Sequence, residues 1–387
     1  MRIIRLFIFL FSIFLVNQSV VAQETLSERA KISILTFGPG TEVYSIWGHT
    51  AIRIQDPINR IDKVYNYGTY DFETPNFLAK FIRGKLEYAL SVQRYHRTIS
   101  AYKREKRWIK EQVLNLEQQE IIKLYDLLEE NYKPENKYYK YDFLFDNCAT
   151  RPAQIIVNSS VNSIEFLDNY ELTYRNILDE HLIHNPWADF GIDLIIGSLA
   201  DKNANAMDQM FMPVYIYRYF ATAKFSATED IPLVSQEKFV AEEGKLEWAY
   251  TPSLLKPLAV TLYLFILEIL LLIQVLRRKK RLFAWYDNLW FFMIGMGSLL
   301  LLFMWFGTDH IPTKNNWNLW WMNPLYFLLL PLIKLSSRKP IAKVLFVMVI
   351  LFLLASFFIP QQFHLAILPI IGVLGIKSYK LGFLGYH

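Results

Sequence analysis

Residues 50–72, TAIRIQDPINRIDKVYNYGTYDF, alternate apolar and polar positions on either side of a break at Asp56-Pro57-Ile58-Asn59. A period of two predicts strands, and the Pro and Asn predict the turn that joins them into a hairpin. The alternation puts His49, Ala51 and Arg53 on one face and Thr50, Ile52 and Ile54 on the other. A turn centred near 58–59 brings Asn66 and Gly68 to the face of His49, whereas a slip of one residue substitutes Tyr67 for Asn66. The pattern leaves that register open. At 115–134, NLEQQEIIKLYDLLEENYKP, the apolar positions fall three and four apart, which predicts an amphipathic helix. Asn115 is its expected N-cap, with Gln118 three residues on and Pro134 as the stop. The Tyr-rich stretch before Asn147 reads as extended chain, and CATRPAQIIV as the start of another helix. Pro152 is tolerated only in a first turn, so that helix cannot begin much before Cys148, with Asp146 and Asn147 as capping residues.

From Leu254 the alternation gives way to long apolar runs at 258–276, 289–306, 325–335, 344–359 and 365–376. About 20 apolar residues cross a bilayer. The expectation is five spans, of which the third and fifth contain Pro331 and Pro369 and need neighbouring helices to shelter freed backbone groups. At the other end, Met1 to Ala22 has basic Arg2 and Arg5, a short apolar core and small residues before Gln23, the build of a cleavable signal peptide. The expected division is a signal peptide at 1–22, an external domain at 23–252 and a membrane domain at 253–387. No repeat or low-complexity block interrupts it.

Charge orients this arrangement. With the middle domain outside, the inner loops and the tail after Ile376 carry Arg277 to Arg281, Lys334, Arg338, Lys339, Lys343, Lys377 and Lys380, while the outer loops carry only Lys314. That is a positive-inside pattern, and it accounts for the net charge of +5 without nucleic-acid binding. Glu268, in mid-span, is either functional or hydrogen-bonded to a neighbouring helix.

Cys148 is the only cysteine, so no intramolecular disulfide exists and the thiol is a leftover, a linker between chains or a reactive group. Its expected place at a helix N-terminus favours a thiolate, and free N–H groups of the first turn can hold an oxyanion. His49 is the best base and Asn66 a candidate to orient it, a papain-like dyad with the chain order reversed. His96, His181 and His184 compete as bases from helical or loop contexts. Each residue also has a plain structural reading: a buried small hydrophobe for Cys148, a strand polar residue for Asn66, solvated arginines for Arg83 and Arg151. Trp305, Trp317, Trp320 and Trp321 crowd an outer loop, as an aromatic belt or as a lip where His310 and Asn318 meet lipid headgroups.

Five stretches in order, SIWGHTAIRI, VYNYGTYDF, FIRGKLEY, DFLFDNCATR and PWADFGIDLIIGSLAD, resemble the Lnb family of lipoprotein N-acyltransferases from Bacteroides-type bacteria. The resemblance covers nearly the whole mature chain. It implies an α+β permuted papain-like (NlpC-like) external domain fused to an all-α five-helix transmembrane domain in the bacterial inner membrane. It implies that Cys148 and His49 are catalytic, and that an acyl chain passes from a phospholipid through a Cys148 thioester to a diacylated lipoprotein; Asn66, from its place on the strand, is the candidate third member. No metal or diffusible cofactor is required. Substrate contacts are expected from Trp47, Tyr67, Arg83, Asn147, Arg151, His310 and Trp317. A membrane-anchored cysteine peptidase or amidase acting on cell-wall peptide would use the same dyad, and a non-enzymatic receptor or transporter would not need it.

Overall fold

The computed structural model describes residues 26–42, 44–168, 170–226, 231–242, 244, 251–278, 283–332 and 334–384. The expected signal peptide lies outside the described residues.

One antiparallel sheet organises the first domain. Its strands are β1 (Lys31–Phe37), β2 (His49–Asp56), β3 (Ile61–Thr69), β4 (Glu87–Arg94), β5 (Ile109–Leu114), β6 (Tyr138–Lys140) and β7 (Val234–Ala241), ordered β7-β5-β1-β2-β3-β4-β6. The inner strands β1 and β2 are buried on both faces, polar Ser33, Thr36, Thr50 and Arg53 included. On one face, Ile32, Ile34, Ile52, Ile54 and Tyr65 join a core closed by helices α3 (Gln118–Tyr132), α4 (Thr150–Ser159), α5 (Tyr174–Leu182) and α7 (Pro213–Thr222). On the other, Leu35, Phe37, Ala51 and Val64 pack under α2 (Tyr95–Arg104). Two more helices, α1 (Phe77–Ile82) and α6 (Pro186–Ile195), lie toward the membrane part.

The β2–β3 register pairs Arg53 with Val64 and Asp56 with Ile61. Continued toward the open end, that register sets Asn66 and Gly68 on the face of His49, so the unslipped alternative is the one adopted. Asp56 fixes the turn by accepting N–H groups from Ile58 at 3.0 Å and Asn59 at 3.3 Å. The α3 helix forms as its period predicts, burying Ile121, Leu124, Tyr125 and Leu128, but it starts later than expected. Its capping box joins Glu117 and Glu120 rather than Asn115 and Gln118, because Asn115 is occupied by the carbonyls of Leu233 and Pro232.

The second domain contains α8 (Pro257–Arg278), α9 (Ala284–Phe306), α10 (Leu335–Ala355) and α11 (Ile367–Tyr379). Among the described residues, three helices are long and apolar enough to cross a membrane, at 257–278, 284–306 and 367–384, where five were expected. The run at 325–335 forms only a 3-10 turn, Pro324–Leu329, bracketed by Pro324 and Pro331, neither of which can continue a hydrogen-bonded helix. Helix α10 has the length but carries Arg338, Lys339 and Lys343 in its first half. Glu268 resolves to an ion pair: its oxygens meet Lys377 at 2.7 Å and Lys380 at 2.6 Å, and Asp287 meets the same lysines at 2.8 and 3.1 Å.

The two domains are joined through α6. Phe190, Leu194 and Ile195 pack into the membrane-domain core. Asn316 donates to the carbonyls of Leu194 and Ile195 at 2.8 and 2.9 Å, capping the end of α6 with a side chain from the other domain. Gly197 follows, and a Cβ there would stand 2.0 Å from the Lys314 carbonyl oxygen. Only glycine fits.

Candidate functional site

The β2–β3 ladder ends at the Ile52–Tyr65 pair. Beyond it the strands part, and Cys148 fills the opening. Its sulfur accepts the backbone N–H of Thr50, the residue after His49, and that of Cys148 itself. Its Cβ sits where a Cβ on Gly68 would come within 3.0 Å, and Gly68 has φ +88°, so two independent constraints require glycine there. The register of β3 against β4 shifts at the same place, between Asn66 and Thr69.

His49 opens β2 half-buried, with Nε2 3.3 Å from Asn66 Oδ1. If Nε2 carries the proton and donates to that oxygen, Nδ1 is left as the ring's acceptor. Phe37 and Tyr102 flank the imidazole with ring centroids at 5.9 and 6.1 Å. Burial and the Arg107 charge hold its pKa down at about 4, so the ring is neutral at ordinary pH. Burial likewise pushes the Cys148 thiol up to about 11, outweighing the Thr50 and Cys148 N–H groups and Arg107, which favour the thiolate. Both shifts run against the expected preformed thiolate: at neutral pH Cys148 rests as a thiol and His49 as a neutral imidazole.

The N–H groups of the helix start are also committed. Asn147 Oδ1 accepts from Ala149 at 2.7 Å and Thr150 at 2.9 Å, and Asn147 Nδ2 donates to the carbonyls of Phe143 and Phe211. Asn147 is thus the cap that holds Cys148 in place and is buried away from substrate. The oxyanion donors expected from the first turn reduce to the Cys148 and Thr50 N–H groups already facing the sulfur.

The other expected contacts divide. Tyr67 is buried, its hydroxyl accepting from Asn131 at 2.8 Å, and Arg151 pairs with Asp146 at 2.5 and 2.7 Å while lying over Tyr139. Neither is available to a substrate phosphate. Trp47 packs edge-on against Phe143 near His181, and His181 bonds the Ile177 carbonyl four residues back in its own helix. His310 reaches the carbonyls of Phe81 and Ile82 at 3.2 and 3.1 Å, so it docks α1 rather than meeting a headgroup. Asn318 is buried and bonded to Asp193 and Leu194. Arg83 is exposed at the end of α1, and Trp317 remains partly open beside Trp320.

Arg107 is the neighbour that sequence reading missed. It is buried, with its guanidinium 4.6 Å from the Tyr102 ring centre. Its Nε donates to the Gly38 carbonyl at 2.5 Å, while Nη2 has no hydrogen-bond partner among the described residues. No motif surrounds it in the chain. Elsewhere, Asp179, Asp189 and Asp193 bring carboxylate oxygens within 4.8 Å of one another. Asp193 is already paired with Arg175 at 2.5 Å, Asp189 faces His364 at 3.5 Å, and burial with its acidic neighbours lifts Asp179 to about 7. These groups serve the seam between α5, α6 and the membrane domain.

A free thiol and an Asn-bound imidazole in an external domain, seated on apolar helices, set the context for comparison with known families. The Lnb N-terminal periplasmic domain matches residues 18–180, and the Lnb transmembrane domain matches residues 249–387. The chain belongs to the Lnb family. No curated protein and no solved structure matches it. Membership makes it a membrane protein with a periplasmic part, in a family of lipoprotein-processing enzymes. The Lnb periplasmic match contains Cys148, His49, Asn66 and Arg107, and the Lnb transmembrane match contains the four-charge cluster around Glu268.

Proposed function

We propose that this Lnb-family protein is a lipoprotein N-acyltransferase of the bacterial inner membrane, working by a permuted papain-like dyad through an acyl-enzyme on Cys148. The observation that carries the reading is the sulfur on the Thr50 N–H, the residue that directly follows His49, whose Nε2 lies 3.3 Å from Asn66 Oδ1. At a pKa of about 4 the imidazole is unprotonated at ordinary pH but a weak base toward a thiol held up at about 11, so proton transfer has to run together with bond formation to carbon.

In the first half-reaction, His49 Nδ1 takes the thiol proton as sulfur bonds to the ester carbonyl carbon of a phospholipid. The tetrahedral oxyanion sits against the Cys148 and Thr50 N–H groups. It collapses with cleavage of the ester C–O bond, and the imidazolium returns its proton to the departing lyso-lipid oxygen. In the second, the neutral α-amine of a diacylglyceryl-cysteine attacks the thioester and His49 removes the amine proton. The C–S bond breaks, an amide remains, and the proton returns to sulfur. Asn66 holds the ring orientation throughout. Arg107, buried beside the pair, favours the thiolate as it forms.

Mass spectrometry of lipoprotein N-termini tests this in a strain depleted of its own acyltransferase. The intact chain should add the third acyl chain, and Cys148→Ala should add none. Peptidoglycan cleavage in place of acylation would assign the dyad to an amidase, and equal function of Cys148→Ala would point to a receptor or transporter.

A further inference from the structure

A cavity of about 380 Å³ opens at the end of β3, lined by Thr69, Tyr70 and Asp71, by Lys80 and Lys85 around α1, and by Glu87 and Lys140 from β4 and β6. That volume is within the range of small-ligand sites. Its first lining residue directly follows Gly68, the position pressed against Cys148. At a rise of about 3.3 Å per strand residue, Thr69 stands one step along β3 from that glycine. Tyr88 and Tyr141 stack at 4.3 Å nearby, and the Tyr141 ring lies 3.7 Å from where a Gly68 Cβ would stand.

Helix α1, which carries the lining residue Lys80, presents an apolar surface. Helix α1 buries none of its residues, and Leu78 is 66 % and Phe72 72 % exposed, with Phe81 and Ile82 also exposed. The same helix is fastened to the outer end of a candidate span: Arg83 accepts the Asp309 N–H at 2.9 Å, and His310 grips Phe81 and Ile82. Asp309 comes three residues after α9 ends at Phe306, itself 71 % exposed. An apolar helix held at that height, with lysines behind it, has the build of an interfacial element.

We propose that this cavity binds the headgroup of the acyl donor, a glycerophospholipid with a phosphate and a cationic amine. This deepens the acyltransferase reading and rests on it. Lys80 and Lys85 have no ion-pair partner among the described residues, and Lys140 has only Asp309 at 4.0 Å. These three ammonium groups take the phosphate. Asp71 and Glu87 line the same space and take the amine. Phe72, Leu78 and Phe81 enter the outer leaflet and keep the acyl chains at the rim. The glycerol then reaches past Tyr88 to set its ester carbonyl at Cys148.

The test follows acyl-thioester formation on the full-length protein in nanodiscs, with three donors: a bilayer phosphatidylethanolamine, soluble dihexanoyl phosphatidylethanolamine, and a p-nitrophenyl ester with no headgroup. The triple variant Lys80→Gln/Lys85→Gln/Lys140→Gln should raise KM at least about tenfold for both phospholipids and leave the p-nitrophenyl ester unchanged. The matching triple Lys→Arg variant should restore most of the loss. Leu78→Ser/Phe81→Ser should raise KM for the bilayer donor alone. An unchanged phospholipid KM in the triple Gln variant overturns the headgroup site while the acyltransferase stands. Competition by inorganic phosphate equal to that by dihexanoyl phosphatidylethanolamine also overturns it, as a simple anion site. Absence of any thioester on the intact protein sinks the underlying chemistry instead.

Discussion

Cys148 keeps its proton because the desolvation of a thiolate in this opening exceeds what two N–H groups and a buried guanidinium return. The sulfur is thus protected until a substrate and His49 act on it together. That ordering suits an exported cysteine, which would otherwise be open to oxidation. It also has a measurable sign. With the folded pKa near 11 against an ordinary 9.0, the folded thiol is about a hundredfold less ionised than the unfolded one at pH 8. The higher basicity of its thiolate recovers part of that, since nucleophilicity rises with pKa. Iodoacetamide should therefore modify folded Cys148 at least about tenfold more slowly than the urea-unfolded chain, with a pH midpoint well above 9. A midpoint near 7 would show a preformed thiolate–imidazolium pair. At this scale the sequence was informative about residue type and chain order, since a single cysteine before a Pro-containing first turn and a histidine at a strand start are local features. Arg107 was not legible, because nothing local marks a residue whose role comes from being folded against Tyr102 and Gly38.

At the scale of elements, the site depends on how one helix starts and how one ladder ends. Asn147 makes four hydrogen bonds with one side chain, two to the N–H groups that open α4 and two to carbonyls of neighbouring loops. Asn147→Ala should cost about 1–2 kcal/mol as a lost cap, measured as a fall in thermal midpoint. Acylation should fall further than that loss explains, because Cys148 sits one residue along. Equal losses in wild-type-like proportion would make Asn147 a stability residue only. The hairpin register was half legible. The turn residues allowed two answers, and the choice was made by the Asp56 carboxylate gathering the turn's N–H groups. The late start of α3 and the fate of Arg151 were settled by distant partners, Leu233 for the one and the tyrosine face for the other.

Across the whole molecule, hydropathy located the membrane part but overstated its regular spans. Length and apolarity alone cannot see that prolines shorten one run to a 3-10 turn. Nor did they show that Glu268 and Asp287 are answered by Lys377 and Lys380, two charges of each sign among buried groups linking α8, α9 and α11. Removing one member strands a partner in a medium with little water, at a cost of about 3–5 kcal/mol, whereas removing a pair together is far cheaper. Glu268→Leu should lower the detergent unfolding midpoint strongly. Glu268→Leu/Lys380→Leu should recover most of it, leaving Lys377 with Asp287 at 2.8 Å. No recovery would mean that the cluster is not acting as two neutral pairs.

Helix α6, with its apolar side in the membrane-domain core and its last carbonyls held by Asn316, ties the half that carries Cys148 to the membrane part. The reactive sulfur therefore works like a berth at constant altitude. In the proposed acyl transfer both tail-anchored cargoes would have to climb to it, one after the other through the same doorway. Excess of either should crowd out its counterpart, and turnover should slow when the surrounding lipid is made thicker.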